Sequence, residues 1–323
     1  MITRRSVLLA GGIGLIITAV RAARAQPVEK IRRIGVLVTG TIENSFLSDN
    51  LRELGWIEGQ NVIVERRVAD GKSERVPALA AELVRDNVEV IVAFGAVASV
   101  AARNATSTIP IVTLTGDPVV LGLVKNLSRP GGNITGVTTI APELAAKRLE
   151  LVRTLFPKAT RIAELVDPAN QYIRLTRSEY GKVFRSLGME PIFVDVAAPA
   201  DLDRAFAEVS RQRTEVLIVR ADPIFVSNRD RIMGFASQYA LPTIAEGRRF
   251  VAAGGLVSYA PNEMATFDRV VALVDKILKG AKPGDLPIEQ PTKFELVINL
   301  KTAKMLGLAI PQSLLLRADE VIQ

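Results

Sequence analysis

The sequence predicts an α/β protein built from two doubly wound, parallel-sheet lobes. Two short and almost wholly apolar runs, residues 88–95 and 109–115, flank an Ala-rich stretch of helical character, which is typical of neighbouring parallel strands buried on both faces. The alternation of strands and helices that begins at Ile31 passes through five strands, and the same order of elements then occurs again. The 323 residues are 48% hydrophobic and only 5% aromatic, which is enough apolar material for two ordinary cores.

The first lobe is predicted from apolar runs that alternate with amphipathic stretches. A helical repeat of leucines ends at Gly55, and a second stripe from Val76 to Val84 follows the i, i+3, i+4, i+7 pattern of a helix with one buried face. The predicted strands of this lobe are residues 33–38, 62–68, 88–95, 109–115 and 133–139.

The second lobe repeats the pattern after a predicted helix at residues 142–156. Its predicted strands are residues 161–166, 190–196, 215–221, 241–245 and 256–259. The tail adds a helix at 262–279, a Pro-rich segment at 283–291, a strand at 294–299 and a closing Leu run at 314–316. We expect an N-terminal lobe of residues 31–141 with 262–281, a C-terminal lobe of residues 142–261 with 282–323, and a hinge of several segments between them.

Residues 1–25 have the three parts of a secretory signal. A charged start contains Arg4-Arg5, an apolar stretch runs from Val7 to Val20, and Ala23-Arg24-Ala25 forms a small-x-small cleavage site. The apolar stretch is short for a membrane span of about 20 residues, so cleavage is favoured over anchoring. The paired arginines resemble a twin-arginine signal, but the general secretory route stays open. The mature protein is expected to be soluble in the periplasm.

The composition excludes several functions. Without any Cys or His, the chain cannot use thiolate chemistry, Cys-ligated metals or a Ser-His-Asp arrangement. No G-x-G-x-x-G follows the first strand, where Thr39-Gly40-Thr41-Ile42 stands instead. Four arginines of the export segment account for much of the formal charge of +7, and no basic stripe with interleaved aromatics occurs elsewhere. We therefore expect no enzyme, cofactor, metal site or nucleic-acid partner.

Five long segments carry the motifs of a known family: residues 51–61, 77–84, 129–137, 143–151 and 290–299. They resemble the ABC-transporter substrate-binding proteins related to the tryptophan-binding type. The similarity covers nearly the whole mature chain. It implies the type I periplasmic-binding-protein fold, capture of a small solute and delivery to an inner-membrane ABC permease; in relatives with a known ligand, that ligand is an aromatic amino acid.

The chain departs from the family where the ligand should bind. The loop from Thr39 to Phe46 is shorter than usual, Gly95-Ala96-Val97 replaces a Gly-Thr or Gly-Ser turn, and Ala245-Glu246 stands where relatives often have Tyr-Gly. The sequence therefore leaves the solute open: an amino acid, aromatic or not, or a related organic acid. We expect a monomer that closes around this solute. The alternatives are a ligand-sensing module for a membrane receptor and, less favoured, a two-lobed α/β enzyme.

Candidate ligand-binding residues in the first lobe follow the carboxyl ends of its strands, because ligands of open α/β sheets bind beyond those ends. The turn at residues 95–97 could offer backbone N–H groups to a carboxylate, or it could be only a tight strand-to-helix turn. The oxygens near residue 115 could accept a ligand ammonium or hydroxyl, or they could cap a turn. These candidates are Thr39, Gly95, Ala96, Val97, Thr115 and Asp117.

Candidates in the second lobe are Asn170, Asp222, Glu246 and Tyr259. Asp222 is predicted to pair with a ligand ammonium or hydroxyl, since an ionised carboxylate in a water-poor cleft is costly without a partner; alternatively it caps the helix near Ser227. Glu246 could mark a cationic or polyhydroxyl ligand or be a solvated turn residue. Tyr172 could stack on a ligand ring, although a surface position is favoured, and Trp56 is interpreted as a packing residue.

Overall fold

The computed structural model describes residues 31–40 and 44–323, which form one compact unit. The predicted export segment lies outside the described residues. Among the helices that are described, none is both long and apolar enough to cross a membrane.

The first lobe contains a five-stranded parallel sheet in the order β2-β1-β3-β4-β5. Helices α2 and α3 bury their apolar stripes on one face of this sheet, and α1 covers the other face. The strands are β1 (Arg32–Val38), β2 (Val62–Val68), β3 (Val90–Phe94), β4 (Ile111–Thr115) and β5 (Ile134–Thr138). The helices are α1 (Asn44–Glu53), α2 (Val76–Arg85) and α3 (Gly95–Ala105).

The second lobe contains a seven-stranded sheet in the order β12-β11-β10-β9-β8-β6-β7. Its strands are β6 (Arg161–Val166), β7 (Glu190–Asp195), β8 (Val216–Val219), β9 (Thr243–Ala245), β10 (Val257–Pro261), β11 (Phe294–Asn299) and β12 (Glu320–Ile322). The helices that follow α3 along the chain are α4 (Ala141–Leu155), α5 (Gln171–Ser186), α6 (Leu202–Arg211), α7 (Pro223–Ser227), α8 (Arg229–Gln238), α9 (Arg248–Ala252), α10 (Glu263–Leu278), α11 (Leu300–Met305) and α12 (Gln312–Leu315).

The predicted pair of parallel-sheet α/β lobes is confirmed, with one difference at the edge of the second sheet. Strands β6 to β10 are parallel, but β11 pairs antiparallel with β10. The reason is that the chain leaves this lobe at Pro261 and returns at the same end, where Asn262 N–H donates to the carbonyl of Lys293 at 2.9 Å. The returning strand must therefore run in the opposite direction. Strand β12, which was not predicted, pairs with β11.

The chain passes between the lobes at residues 139–140, 261–262 and 290–293. Helix α10 packs on the first sheet through residues such as Val270 and Val274. The segment at 282–289 also packs there, not on the second sheet as the sequence suggested. Its backbone bonds to Leu127 and to Gly136 of β5, and the Ile288 side chain is buried in the core under α2 and α3.

Trp56 packs against the core of the first lobe and donates its Nε1–H to Asp275 Oδ1 at 2.9 Å. Asp275 lies near the end of α10, so this bond fastens the late helix to the turn after α1. The placement agrees with the packing role expected for Trp56.

Candidate functional site

A cleft with a volume of about 260 Å³ lies between the two sheets, at the carboxyl ends of their strands. Phe94, Gly95 and Thr115 line it from the first lobe, and Arg220 and Asp222 line it from the second. The volume is slightly below the range of roughly 300–1,000 Å³ that is usual for sites of drug-sized ligands. The cleft therefore suits a small metabolite.

Six of the ten predicted site residues line this cleft: Gly95, Ala96, Thr115, Asn170, Asp222 and Glu246. The other four, Thr39, Val97, Asp117 and Tyr259, are not among its lining residues. Val97 packs on the core of the first lobe. Asp117 Oδ1 accepts hydrogen bonds from the N–H groups of Val119 and Val120 at 2.8 and 3.0 Å, so it caps its own turn.

Thr39 and Tyr259 are held away from the cleft by their local packing. Thr39 is only 2% exposed, and its carbonyl accepts a hydrogen bond from the N–H of Gly71. The Tyr259 ring stacks on Phe294 with 6.2 Å between ring centroids, and it packs against the second core. The strand ends lie at the cleft, but these two residues are packed within their own lobes.

Tyr172 is buried, at 5% exposure, and lines the cleft, so the favoured surface position is wrong. It lies at the start of α5, where Asn170 caps the helix by accepting the Tyr172 N–H at 3.0 Å. Burial raises the pKa of the Tyr172 hydroxyl to about 12. The hydroxyl therefore stays neutral at physiological pH.

Asp222 stands at the end of β8 with one satisfied and one unsatisfied oxygen. Asn170 Nδ2 donates to Asp222 Oδ1 at 2.7 Å, whereas Oδ2 is buried and has no hydrogen-bond partner among the described residues. Burial, only partly opposed by the positive charge of Arg220, raises the pKa of Asp222 to about 7. Its side chain does not cap α7, so the helix-cap alternative is not supported.

Across the cleft, the first lobe presents groups that suit an anion. The 11-residue helix α3 begins at Gly95, and no side chain caps its first turn. The first N–H groups of a helix have no intrahelical partner, and the helix dipole places partial positive charge there. Thr115 Oγ1 is also buried and has no partner in the described part of the chain. The first-lobe wall therefore suits a negatively charged group of a ligand, and the second-lobe wall, through Asp222, suits a positively charged one.

Four charged side chains contact one another in sequence at the second-lobe wall of the cleft. We call this group the buried ion array, and its members are Glu164, Arg220, Glu246 and Arg148. Arg220 Nη1 lies 2.9 Å from Glu164 Oε1, and Arg220 Nη2 lies 3.9 Å from Glu246 Oε1. Arg148 Nη2 donates to the same Glu246 oxygen at 2.5 Å, and its Nη1 donates to the Tyr259 carbonyl at 3.0 Å.

Glu246 is therefore not a solvated turn residue. Its second oxygen accepts the N–H of Ala221 at 3.1 Å. Burial alone would raise the pKa of Glu246, but the charges of Arg148 and Arg220 hold it below its usual value. Glu246 is thus an ionised and fully paired part of the cleft wall.

The two lobes also contact each other directly. Ser73, just before α2, donates its hydroxyl to Asp167 Oδ2 at 3.1 Å, after β6. Burial raises the pKa of Asp167, and the bonds from Ala169 N–H and Ser73 oppose this. Gly40 lies so close to Pro223 that a Cβ added there would overlap the Pro223 carbonyl. These contacts hold the two lobes together.

The profile of the ABC transporter substrate binding protein family matches residues 41–322. The chain belongs to this family. The resemblance seen in the sequence is thereby confirmed, and the two-lobed geometry around one cleft agrees with it. Among the residues that the structure describes, no group of three Asp or Glu side chains is placed to hold a metal ion.

Named relatives support the same assignment. A protein of Clostridioides difficile described as a tyrosine-binding protein is 27% identical over 259 residues, which cover 80% of this chain and 74% of the relative. A conserved domain protein from Vibrio cholerae is 25% identical, with a TM-score of 0.83 over 90% of this chain and all of the other. The ABC domain in complex with L-Trp from Streptococcus pneumonia is also 25% identical, with a TM-score of 0.80 over 90% of this substrate-binding protein and 99% of that chain.

Sequence reasoning missed the arginines of the substrate-binding protein's cleft. Arg220 directly precedes the singled-out Ala221-Asp222 pair, and Glu164 interrupts an apolar strand that is buried on both faces. A carboxylate in such a strand requires a partner, and this signal could have predicted a buried arginine. Arg148 gave no such signal, because the neighbouring Lys147 on α4 is exposed and the two look alike in sequence.

Proposed function

We propose that this substrate-binding protein is the periplasmic receptor of an ABC importer and captures an amino acid between its lobes. The observation that carries the proposal is the unpartnered Oδ2 of Asp222, which lines a cleft whose other wall contains the uncapped start of α3 and the Thr115 hydroxyl. A zwitterion matches both walls: its ammonium pairs with Asp222, and its carboxylate binds the α3 amides and Thr115.

The rest of the lining favours an apolar, aromatic side chain on this amino acid. Phe94 and Phe267 line the cleft with 5.5 Å between their ring centroids, and Leu114 and Phe250 are also part of its lining. Aromatic rings pack well edge-to-face or offset against such pairs. Because relatives are described as binding tyrosine and L-Trp, L-tyrosine is the first solute to test.

Capture is proposed to occur by hinge closure about the three crossings at 139–140, 261–262 and 290–293. A ligand favours the closed arrangement only through contacts that both lobes make with it. Asp222 belongs to the second lobe, and Gly95 and Thr115 belong to the first. The closed receptor then docks on a permease in the inner membrane and acts as a monomer that leaves the solute chemically unchanged.

Equilibrium dialysis of the purified protein against labelled L-tyrosine, L-tryptophan and L-leucine tests the proposed function. We expect saturable binding with preference for an aromatic amino acid, and mass spectrometry should recover the solute unaltered. Absence of binding for every amino acid in the common set would overturn the amino-acid assignment. Conversion of the bound solute would favour an enzyme.

The affinity for L-tyrosine should depend on pH through Asp222. Arg220, Asp167 and Glu246 surround this carboxyl, and its pKa of about 7 makes it largely protonated below neutrality in the ligand-free protein. Since pairing with an ammonium requires the ionised form, we expect affinity to rise about tenfold per pH unit up to about pH 7 and then level off. Calorimetric titrations from pH 5 to 9 measure this; a flat profile would argue against Asp222 as the ammonium partner.

The Ser73 hydroxyl should contribute to closure without contacting the solute. Replacing Ser73 with Ala removes its bond to the carboxylate of Asp167, and a hydrogen bond to a charged group is worth about 1.5–3 kcal/mol. If this bond forms only in the closed state, Ser73→Ala weakens L-tyrosine binding by roughly tenfold or more. Dialysis checks the affinity, and equal affinities of variant and wild type would show that the bond persists in the open state or adds nothing.

A further inference from the structure

The buried ion array contains equal numbers of positive and negative groups. Arg148 comes from α4, Arg220 from the end of β8, Glu246 from the end of β9 and Glu164 from the middle of β6. Both arginines and Glu246 line the cleft, whereas Glu164 is 1% exposed and lies behind it. The array therefore places three charged groups on the cleft wall and a fourth behind it, and the four charges sum to zero.

Asp222 differs from Glu246 in that its charge is not compensated by an ion pair with any described residue. Glu246 is satisfied by Arg148 and by the Ala221 N–H, so its charge is compensated where it meets the cleft. Asp222 has only the neutral amide of Asn170 on Oδ1, and its Oδ2 has no partner within the described chain. The nearby charged groups on the rim are paired elsewhere, Arg248 with Glu320 and Arg249 with Glu263.

We propose that Arg148 and Glu246 are specificity-determining positioning residues: by cancelling each other, they make the cleft select a zwitterion over the corresponding amine or acid. This inference rests on the proposed function, since it concerns the same cleft and a ligand with one ammonium and one carboxylate. Arg148 acts through Glu246 and does not need to touch the ligand.

Loss of Arg148 and loss of Glu246 should change the preference between amine and acid ligands in opposite directions. Without Arg148, Glu246 keeps only the longer ionic contact of 3.9 Å with Arg220, and the wall gains one net negative charge, which attracts an ammonium and repels a ligand carboxylate. Without Glu246, Arg148 becomes an uncompensated cation, which attracts an acid and repels an amine. At several ångströms in a partly buried site, one unit charge changes affinity by roughly tenfold or more. A variant without both charges is neutral again.

Three ligands that contain the same 4-hydroxyphenyl ring distinguish the two changes in selectivity. They are L-tyrosine, tyramine, which lacks the carboxylate, and 3-(4-hydroxyphenyl)propionate, which lacks the ammonium. Their affinities at pH 8 are measured by calorimetry for the wild type, Arg148→Gln, Glu246→Gln and the double variant. The exposed pair Lys147 and Glu150, 2.8 Å apart on the same helix, gives the matched control as Lys147→Gln with Glu150→Gln.

We expect the ratio of tyramine affinity to acid affinity to rise roughly tenfold or more in Arg148→Gln and to fall by a similar factor in Glu246→Gln. The double variant and the surface control should stay within about threefold of the wild type. A purely structural role would weaken all three probes alike and leave the ratio unchanged. That result, or shifts of the same sign in both single variants, would overturn the inference.

A measurement on the ligand-free protein tests the role of Arg148 and Glu246 independently of the proposed amino-acid ligand. The carboxyl carbon of Asp222 is titrated by NMR in the ligand-free proteins. Arg148→Gln should raise its pKa, Glu246→Gln should lower it, and the double variant should resemble the wild type; no shift in either single variant would contradict the array's role. Failure of all three probes to bind the wild type, with these shifts present, would overturn the proposed amino-acid ligand alone.

Discussion

Replacement of Asp222 with Asn is expected to weaken the binding of L-tyrosine by 100-fold or more. The substitution keeps an acceptor for Asn170 Nδ2, which lies 2.7 Å from Asp222 Oδ1, but it removes the charge that pairs with the ammonium. Loss of one partner from a buried charge pair typically costs 2–5 kcal/mol of binding free energy. Calorimetry at pH 8 measures the change, and an affinity within threefold of the wild type would contradict the assigned role.

The same substitution should stabilise the ligand-free protein at alkaline pH. The pKa of Asp222 is about 7 in the folded protein and near its usual 3.8 in the unfolded chain. Because the folded state holds the proton more tightly, this group lowers the free energy of unfolding as pH rises from about 4 to 7, and the full penalty remains above 7. Asp222→Asn removes that penalty, which the two pKa values put at about 4 kcal/mol.

Urea unfolding at pH 5 and pH 8 checks the sign of this effect. The gain in the free energy of unfolding should be clear at pH 8 and smaller at pH 5. Asp230→Asn on α8, an exposed carboxylate, is the matched control and should show no such difference. Destabilisation by Asp222→Asn at pH 8 would mean that the carboxylate already has a stabilising partner in the ligand-free state.

Substitution of Gly40 with Val is expected to prevent closure and to reduce the affinity for L-tyrosine by about 100-fold. A Cβ at Gly40 would overlap the Pro223 carbonyl of the opposite lobe and would lie 2.5 Å from Ser227 Oγ. The Pro223 carbonyl is a backbone group and cannot move away without separating the lobes or distorting α7. A solute held by one lobe then loses every contact that the other lobe would add.

Gly234→Ala is the control for this experiment, because a Cβ added at that position of α8 has no atom within 4 Å beyond its chain neighbours and the adjacent backbone of its own helix. It should leave affinity unchanged. Since the overlap arises only where the lobes meet, Gly40→Val should also leave the melting temperature of the ligand-free protein nearly unchanged. Wild-type affinity in Gly40→Val would show that the close approach of Gly40 and Pro223 is not required for binding.

The sequence predicted the regular core of the fold well, because periodicity reports burial directly. Strands β2, β6 and β11 have the predicted bounds, since each is an apolar or β-branched run limited by turn residues. Strand β12 was missed because it has only three residues, all half-buried. Residues 282–289 were assigned to the other lobe because proline content marks a connection but not the sheet on which it packs.

Only those residues of the candidate site that directly follow a strand could be predicted from the sequence. The carboxyl ends of β3, β4 and β8 identified Gly95, Thr115 and Asp222 as cleft-facing residues. The partner of Glu246 is Arg148, 98 positions away in sequence and on a helix, and no local pattern connects two such residues. The paired or unpaired state of a carboxylate depends on these distant contacts, so the roles of Glu246 and Asp222 could not be distinguished from sequence.

Small-angle X-ray scattering with and without saturating L-tyrosine tests the central claim most directly, namely that two lobes close around a solute held in part by Asp222. The protein is first unfolded and refolded to remove any solute that co-purifies. We predict that the radius of gyration of the wild type falls on addition of L-tyrosine and that of Asp222→Asn does not. Calorimetric binding of L-tyrosine to the wild type without any change in its radius of gyration would contradict capture by closure.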